Sequence, residues 1–242
     1  MVKYIPVGDS ALCIRVGDEF SEEGAEMVRQ LLLAVEDNNY SYVTDLLPSY
    51  NELTVFFNPA EINYKELVQR LRALNISGSG NVKHRARSFE VPVCYGGNLG
   101  PDLPLVAEAK KMSEEWVVDL HSKAKYTIAA MGFTPGFCYL SGLDKKLSMP
   151  RMSRPRKAVA AGAVGITSDQ SGIYPVSSPG GWRWIGTTPL RLFSAGAANP
   201  FLFSTGDQIV FKGIEKQEFD EIKEAVEAGN FIVNYCKTES PE

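Results

Sequence analysis

The stretch AVGITSDQSGIYPVSSPGGWRWIGTTPLRLF, residues 163–193, strings short β-prone runs between glycine and proline turns. AVGIT, GIYPV and WRWIGTTPLRLF are punctuated too often for helices and are rich in β-branched and aromatic residues. The same rhythm starts upstream with YTIAAMGF (126–133) and resumes with DQIVFKGI (207–214). Strands spaced this way predict a closed or nearly closed β-barrel rather than a parallel α/β sheet. Just before them, Asp102-Leu103-Pro104 and Ser113-Glu114-Glu115 read as the starts of two helices, the second running toward His121. After them, Phe219, Ile222, Ala225 and Val226 share one face of a terminal helix that Gly229 stops.

The first 75 residues differ in character. ALCIRV (11–16) reads as a strand, and Ser21 caps a helix with Met27, Leu31, Ala34 and Val35 on one face. Strands at 42–47 and 53–57 flank the turn Pro48–Asn51, and Asn63 caps a second helix bearing Leu67, Val68, Leu71 and Leu74. With a last strand at Phe89–Tyr95, the order is βαββαβ, the ferredoxin-like pattern. The segment Ser77–Ser88, SGSGN followed by KHRAR, is flexible and solvated and marks a boundary, with His84 an exposed linker residue. The expectation is an α+β chain: a ferredoxin-like domain over 1–80, then a β-barrel with terminal helix over 89–242.

Composition narrows the function. A chain of 242 residues with 44% hydrophobic and 22% charged residues builds a globular core. A net charge of −4 gives no field for collecting nucleic acid. No apolar run approaches the roughly 20 residues that span a bilayer, and MVKYIPVGDS lacks a signal-peptide core, so a cytoplasmic protein is expected. Cys13, Cys94, Cys138 and Cys236 are scattered, with no CxxC pair and no metal spacing to the two histidines; reduced thiols and no metal site are expected.

Walker, GxGxxG, GxSxG and HExxH signatures are absent, which disfavours a nucleotide-binding fold of the usual kinds. Three glycine-, proline- and aromatic-rich segments remain. In Gly132–Leu140, Gly136 lets backbone approach a ligand while Phe133, Pro135 and Tyr139 could wall it, or the same residues form a tight barrel corner. In PRMSRPRK (150–157), prolines stiffen a cluster of cations, and Arg156 is the candidate anion grip against a reading as solvated loop. In Ala161–Trp184, Gly162, Gln170, Tyr174, Ser178 and Trp182 offer neutral hydrogen bonding suited to an amide or carboxylate, or a packed turn. His121, with Tyr126 five residues on, is the general acid/base candidate, or else a helix cap.

Six segments in order, VPVCYGGNLGPDL (91–103), LHSKAKY (120–126), GFTPGFCYLSGLD (132–144), PRMSRPRKAVAAGAVGI (150–166), QSGIYPVSSPGGWRWIGTTPLRLF (170–193) and TGDQIVF (205–211), resemble the carboxyltransferase-domain subunit 1 family. That family includes the B-type subunit of 5-oxoprolinase, the Kip-type inhibitor of a sporulation histidine kinase, and the allophanate hydrolase subunit 1-like region of urea amidolyase. The resemblance implies a ferredoxin-like first domain and a cyclophilin-like barrel. It implies a polypeptide that is inactive alone and acts with two partners, a homologous C-type subunit and an A-type subunit. The reaction implied is the ATP-dependent opening of 5-oxoproline to L-glutamate, with ATP bound by or shared with a partner. Inhibition of a sensor histidine kinase is the alternative. Half of a urea-type biotin-dependent carboxyltransferase is the third reading, although the chain has no MKM-type biotinyl-lysine segment. His121, Tyr126, Arg156, Gln170 and Tyr174 stand at family-motif positions, with Arg156 implied for an anion and His121 for proton transfer. Two departures stand out: Val159–Ile166 reads VAAGAVGI where the family commonly has VPAGSVGI, and Gly186-Thr187-Thr188-Pro189 stands where GRTP is common.

Overall fold

The computed structural model of the chain describes residues 2–18, 21–74 and 87–237. Two units emerge, Met1–His84 and Arg85–Glu242. Most of the expected linker Ser77–Ser88, with His84, lies outside the described residues.

In the first unit, β1 (Val2–Val7) and β2 (Ala11–Val16) form a hairpin, followed by α1 (Glu22–Asn38), β3 (Val43–Ser49), β4 (Glu52–Phe57) and α2 (Tyr64–Arg72). Ser21 Oγ accepts the Gly24 N–H at 3.0 Å and Asn63 Oδ1 accepts the Glu66 N–H at 3.1 Å, so both helices start where their capping residues stand. Leu12, Ile14, Val28, Leu31, Leu53, Val55, Leu67 and Leu71 make the core. Met27 turns partly outward and Val28 fills the buried position.

The sheet order β1-β2-β4-β3, antiparallel throughout, does not confirm the ferredoxin-like reading and leaves Phe89–Tyr95 out of this sheet. The elements run ββαββα. The place beside β2 goes to Val2–Val7, whereas Phe89–Tyr95 belongs to the second unit. There its alternating Phe89, Val91 and Val93 enter the barrel core.

The second unit opens with β5 (Arg87–Tyr95), α3 (Leu103–Lys110) and α4 (Glu114–Lys123). Strands β6 (Lys125–Met131), β7 (Cys138–Ser141), β8 (Arg156–Val159), β9 (Ala163–Thr167), β10 (Gln170–Ile173), β11 (Ser178–Gly180), β12 (Arg183–Thr187) and β13 (Gln208–Gly213) follow. Helix α5 (Lys216–Glu227) and β14 (Tyr235–Lys237) end it. Seven strands close a ring, β6-β13-β5-β12-β9-β10-β7 and back to β6. Within the ring only β13 and β5 run parallel. The expected barrel is therefore present, in an α+β chain. Strands β8 and β11 form a separate ribbon, and Gly229, at φ 73°, lies just past the end of α5. Helix α4 packs on the barrel through Val117 and His121, both fully buried. Among the described residues no helix is long and apolar enough to cross a membrane.

Candidate functional site

His121 lies in the last turn of α4, facing inward between Tyr95, Tyr126 and Phe211, with the Phe211 ring stacked at 4.7 Å. Its Nε2 lies 2.9 Å from Ser171 Oγ, and the Ser171 hydroxyl can donate onward to the Gly165 carbonyl at 3.3 Å. That chain assigns the ring proton to Nε2 and leaves Nδ1 to accept from the Tyr95 hydroxyl at 2.8 Å. Burial pushes the imidazolium pKa down to about 3, so the ring is neutral near pH 7. Tyr126, also fully buried, donates its hydroxyl to the His121 carbonyl at 3.0 Å, closing the end of α4. Both ring nitrogens of His121 are thus satisfied from within the chain, and the Tyr126 hydroxyl is engaged by backbone. Tyr95, which the sequence did not single out, is the nearest approach to solvent. Its ring walls two surface cavities of about 670 and 450 Å³, while burial holds its hydroxyl well above the usual tyrosine range.

Arg156 is likewise committed. Its guanidinium grips Asp102 with both branches, Nη1 to Oδ2 at 2.8 Å and Nη2 to Oδ1 at 2.6 Å. Asp102 Oδ2 also accepts the Trp184 N–H at 2.8 Å, so this carboxylate joins β8 to β12 instead of capping α3. The fork takes two of the five guanidinium N–H groups, and a quarter of the Arg156 side chain stays exposed.

The turn Gly132–Phe137 is tied twice. The Gly132 carbonyl accepts the Thr134 N–H at 2.9 Å around Phe133, held at φ 68°, and the Thr134 carbonyl accepts the Phe137 N–H at 3.0 Å. Pro135 followed by Gly136 at φ 85° is the pairing a type II turn requires. The strained Phe133 ring stands 65% exposed over a cavity of about 500 Å³, lined by Met131, Pro135, Phe201 and Phe203. Thr134 Oγ1 is buried there without a partner.

Behind the turn, Phe137 meets Tyr139, Tyr174 and Trp182 at 4.7, 5.0 and 5.5 Å. Tyr174 and Trp182 are almost wholly buried, and these rings pack on one another. Gly162, at φ 81°, presses against the Thr188 carbonyl, and Gln170 sits half-buried opposite Thr167 at the start of β10. Of the substrate-binding candidates, Phe133, Pro135 and Gly136 line this cavity of about 500 Å³.

The loop before β8 wraps the Gly180-Gly181-Trp182 turn. Met152 donates its N–H to the Gly181 carbonyl at 2.7 Å, and the Arg151 guanidinium lies 5.9 Å from the Trp182 ring centre. Arg151, Arg154 and Lys157 are exposed and make no hydrogen bond or ion pair among the described residues. Nearby in sequence, Ser178 Oγ and Arg183 Nε are buried without partners. Arg151 belongs to the cation cluster read from the sequence, from which Arg156 was chosen; Arg183 was not singled out. Among the described residues no three His, Cys, Asp or Glu side chains come together as a metal site.

Comparison with known proteins adds lineage to this geometry. The family described as carboxyltransferase domain, subdomain C and D, matches residues 2–203. The chain is 38% identical over 229 residues to a Bacillus subtilis protein named as the B-type subunit of 5-oxoprolinase, covering 90% of this chain and 95% of that one. The crystal structure of TTHA0988 superposes with a TM-score of 0.75 at 33% identity, covering 89% of this chain. This chain spans only 40% of that protein's length. The K. lactis urea amidolyase shares the fold, with a TM-score of 0.78 at 19% identity over 98% of this chain and 16% of that one.

Proposed function

The chain belongs to the carboxyltransferase domain family, subdomains C and D, and on that footing we propose that it is the B-type subunit of an ATP-dependent 5-oxoprolinase. Its partners in that role are the homologous C-type subunit and the A-type subunit, and its barrel is of the cyclophilin-like kind. One observation carries the reading: the 38% identity extends over 95% of the Bacillus subtilis 5-oxoprolinase relative.

The geometry supports one part of a heteromeric enzyme rather than a self-contained one. A γ-lactam is an unstrained amide and a poor electrophile. Phosphorylation of its oxygen by ATP makes the ring carbon attackable by water, and the product is L-glutamate. That sequence needs a phosphate site, a base and an anion grip. In this chain the only described histidine is sealed and neutral, and Arg156 is neutralised by Asp102. What the chain offers outward is the Phe133 turn and the unpaired cations around Arg151. Catalysis is therefore assigned to a site completed by the partner subunits, and the isolated chain is inactive.

The test is to assemble the chain with its A-type and C-type partners and follow glutamate release from 5-oxoproline with ATP. Release by the assembly and none by the chain alone is expected. A complete, folded assembly that releases no glutamate sinks the reading.

A further inference from the structure

The cavity of about 500 Å³ at the Gly132–Phe137 turn is built within the second unit, from Met131, Phe133, Thr134, Pro135, Phe201 and Phe203 among others. Its size lies in the range that takes small organic ligands. Two of its walls are aromatic rings left in water, Phe133 at 65% exposure and Phe201 at 46%. One exposed ring is ordinary; two on a single cavity mark a place where something binds. Phe133 is also held there. The Gly132 carbonyl accepts the Thr134 N–H at 2.9 Å across a three-residue turn, with Phe133 at its centre at φ 68°. That is the strained hand of the γ-turn, and such strain collects where a fold presents a side chain to a ligand.

Two further observations select the ligand. No charged side chain lines the cavity among the described residues. Ser204, which does line it, accepts from Arg87 Nη2 at 3.3 Å, but that guanidinium is already paired with Asp207. An anion entering here would lose its water without gaining a counter-charge, so the lining selects against carboxylates and phosphates. The second observation is Thr134, a lining residue whose Oγ1 is buried without a partner. Buried hydroxyls nearly always find one, because an unmade hydrogen bond keeps the full cost of dehydration. A hydroxyl both donates and accepts, and the uncharged group that answers it in both senses is a carboxamide.

We infer that this cavity binds a small uncharged ring carboxamide, its ring against Phe133 and Phe201 and its amide at Thr134 Oγ1. Aromatic walls favour a flat ring by stacked or edge-to-face contact, and the single orphan hydroxyl fixes its orientation. The site stands on the cavity and its lining and is independent of the 5-oxoprolinase reading, on which glutamate release by the assembled subunits bears alone.

Titration of the full chain with benzamide, benzoate and toluene, followed by backbone amide shifts in NMR, tests this. The three probes share a ring and differ in charge and polar atoms. Benzamide should bind and shift the Thr134 and Gly136 amides, and benzoate should bind about tenfold or more weakly, its charge having no partner. T134V deletes the orphan hydroxyl and nearly keeps the shape, so it should be at least as stable as wild type in thermal melts. It should weaken benzamide about fivefold and leave toluene unchanged. F133G removes a wall and should weaken benzamide and toluene alike. W116A, which removes an exposed ring on α4, should leave all three unchanged. The site is overturned if wild type does not bind benzamide or binds benzoate equally well. It is also overturned by undiminished benzamide binding in T134V or F133G, or by an equal loss in W116A. Tighter binding of the capped peptide acetyl-Ala-Phe-Ala-amide than of benzamide would make the occupant a protein segment and overturn the small-molecule assignment.

Discussion

At His121 the surroundings decide the chemistry. The unfolded chain takes up a proton on this ring near pH 6.5, while the folded chain refuses it until about pH 3. Its stabilising contribution is therefore complete above about pH 6.5 and is lost as pH falls toward 3, at about 1.4 kcal/mol per unit. H121Q, which cannot titrate, should be less stable than wild type at pH 7, and the gap should narrow in urea unfolding at pH 6 and 5. Equal pH slopes in the two proteins would contradict the sealed, neutral ring. Asp102 and Arg156 make an asymmetric pair, since the carboxylate is almost wholly buried and the guanidinium keeps a quarter of its surface. R156M strands a buried charge and should cost about 3 kcal/mol or more. D102N leaves an arginine that can reach water and should cost less; denaturant midpoints of the two variants check the order. The sequence marked both His121 and Arg156 but could not say which way they faced. The only nearby histidine and a proline-framed arginine look the same whether they meet substrate, Ser171 or Asp102. Those partners lie 50 and 54 residues away along the chain.

Elements were more legible, because their signals are local. Ser21, Asn63 and Ser113 each accept the backbone N–H their capping role predicts. Asp102 does not, since its carboxylate is drawn to Arg156 and Trp184. The missed strand, Val2–Val7, pairs only with β2, stays partly exposed and contains Pro6, which has no N–H to give a ladder. Its alternation was too weak to register, and Phe89–Tyr95 took its place in the reading. The turn Gly132–Phe137 was recognised as unusual, yet its dihedrals decide its meaning. Phe133 at φ 68° stores about 1–3 kcal/mol of strain. F133G should relieve that strain, and even after the cost of a more flexible unfolded chain it should hold or raise the melting temperature. It should also remove an exposed ring that the fold itself does not need. A clear fall in melting temperature would mean that the ring is structural. Gly162 is the reverse case. A Cβ there would overlap the Thr188 carbonyl at a φ of 81°, so G162A should lower stability by about 2 kcal/mol or more in thermal melts.

For the whole molecule, the closure of the barrel determines which part of the chain can stand alone. If Phe89–Tyr95 completed the first sheet, a fragment beginning at residue 85 would carry a strand with no sheet to join. In the observed topology that strand lies between β13 and β12, and the ring β6-β13-β5-β12-β9-β10-β7 returns to β6 using residues after 85 alone. Its core, from Phe89 and Val91 through Ile128, Leu140, Val164 and Ile185 to Phe211, also comes entirely from that span. Each of its seven strands has a ring neighbour on both sides within that span. The fragment 85–242 should therefore fold without residues 1–84, stay monomeric at micromolar concentration and melt in one cooperative transition by circular dichroism. The seal over His121 should survive with it, because Tyr95, Ser171, Tyr126 and Phe211 all lie within the fragment. H121Q should thus narrow its stability gap with falling pH in the fragment as in the full chain. A fragment that aggregates, or melts without a transition, would show that the barrel depends on the first unit for its fold.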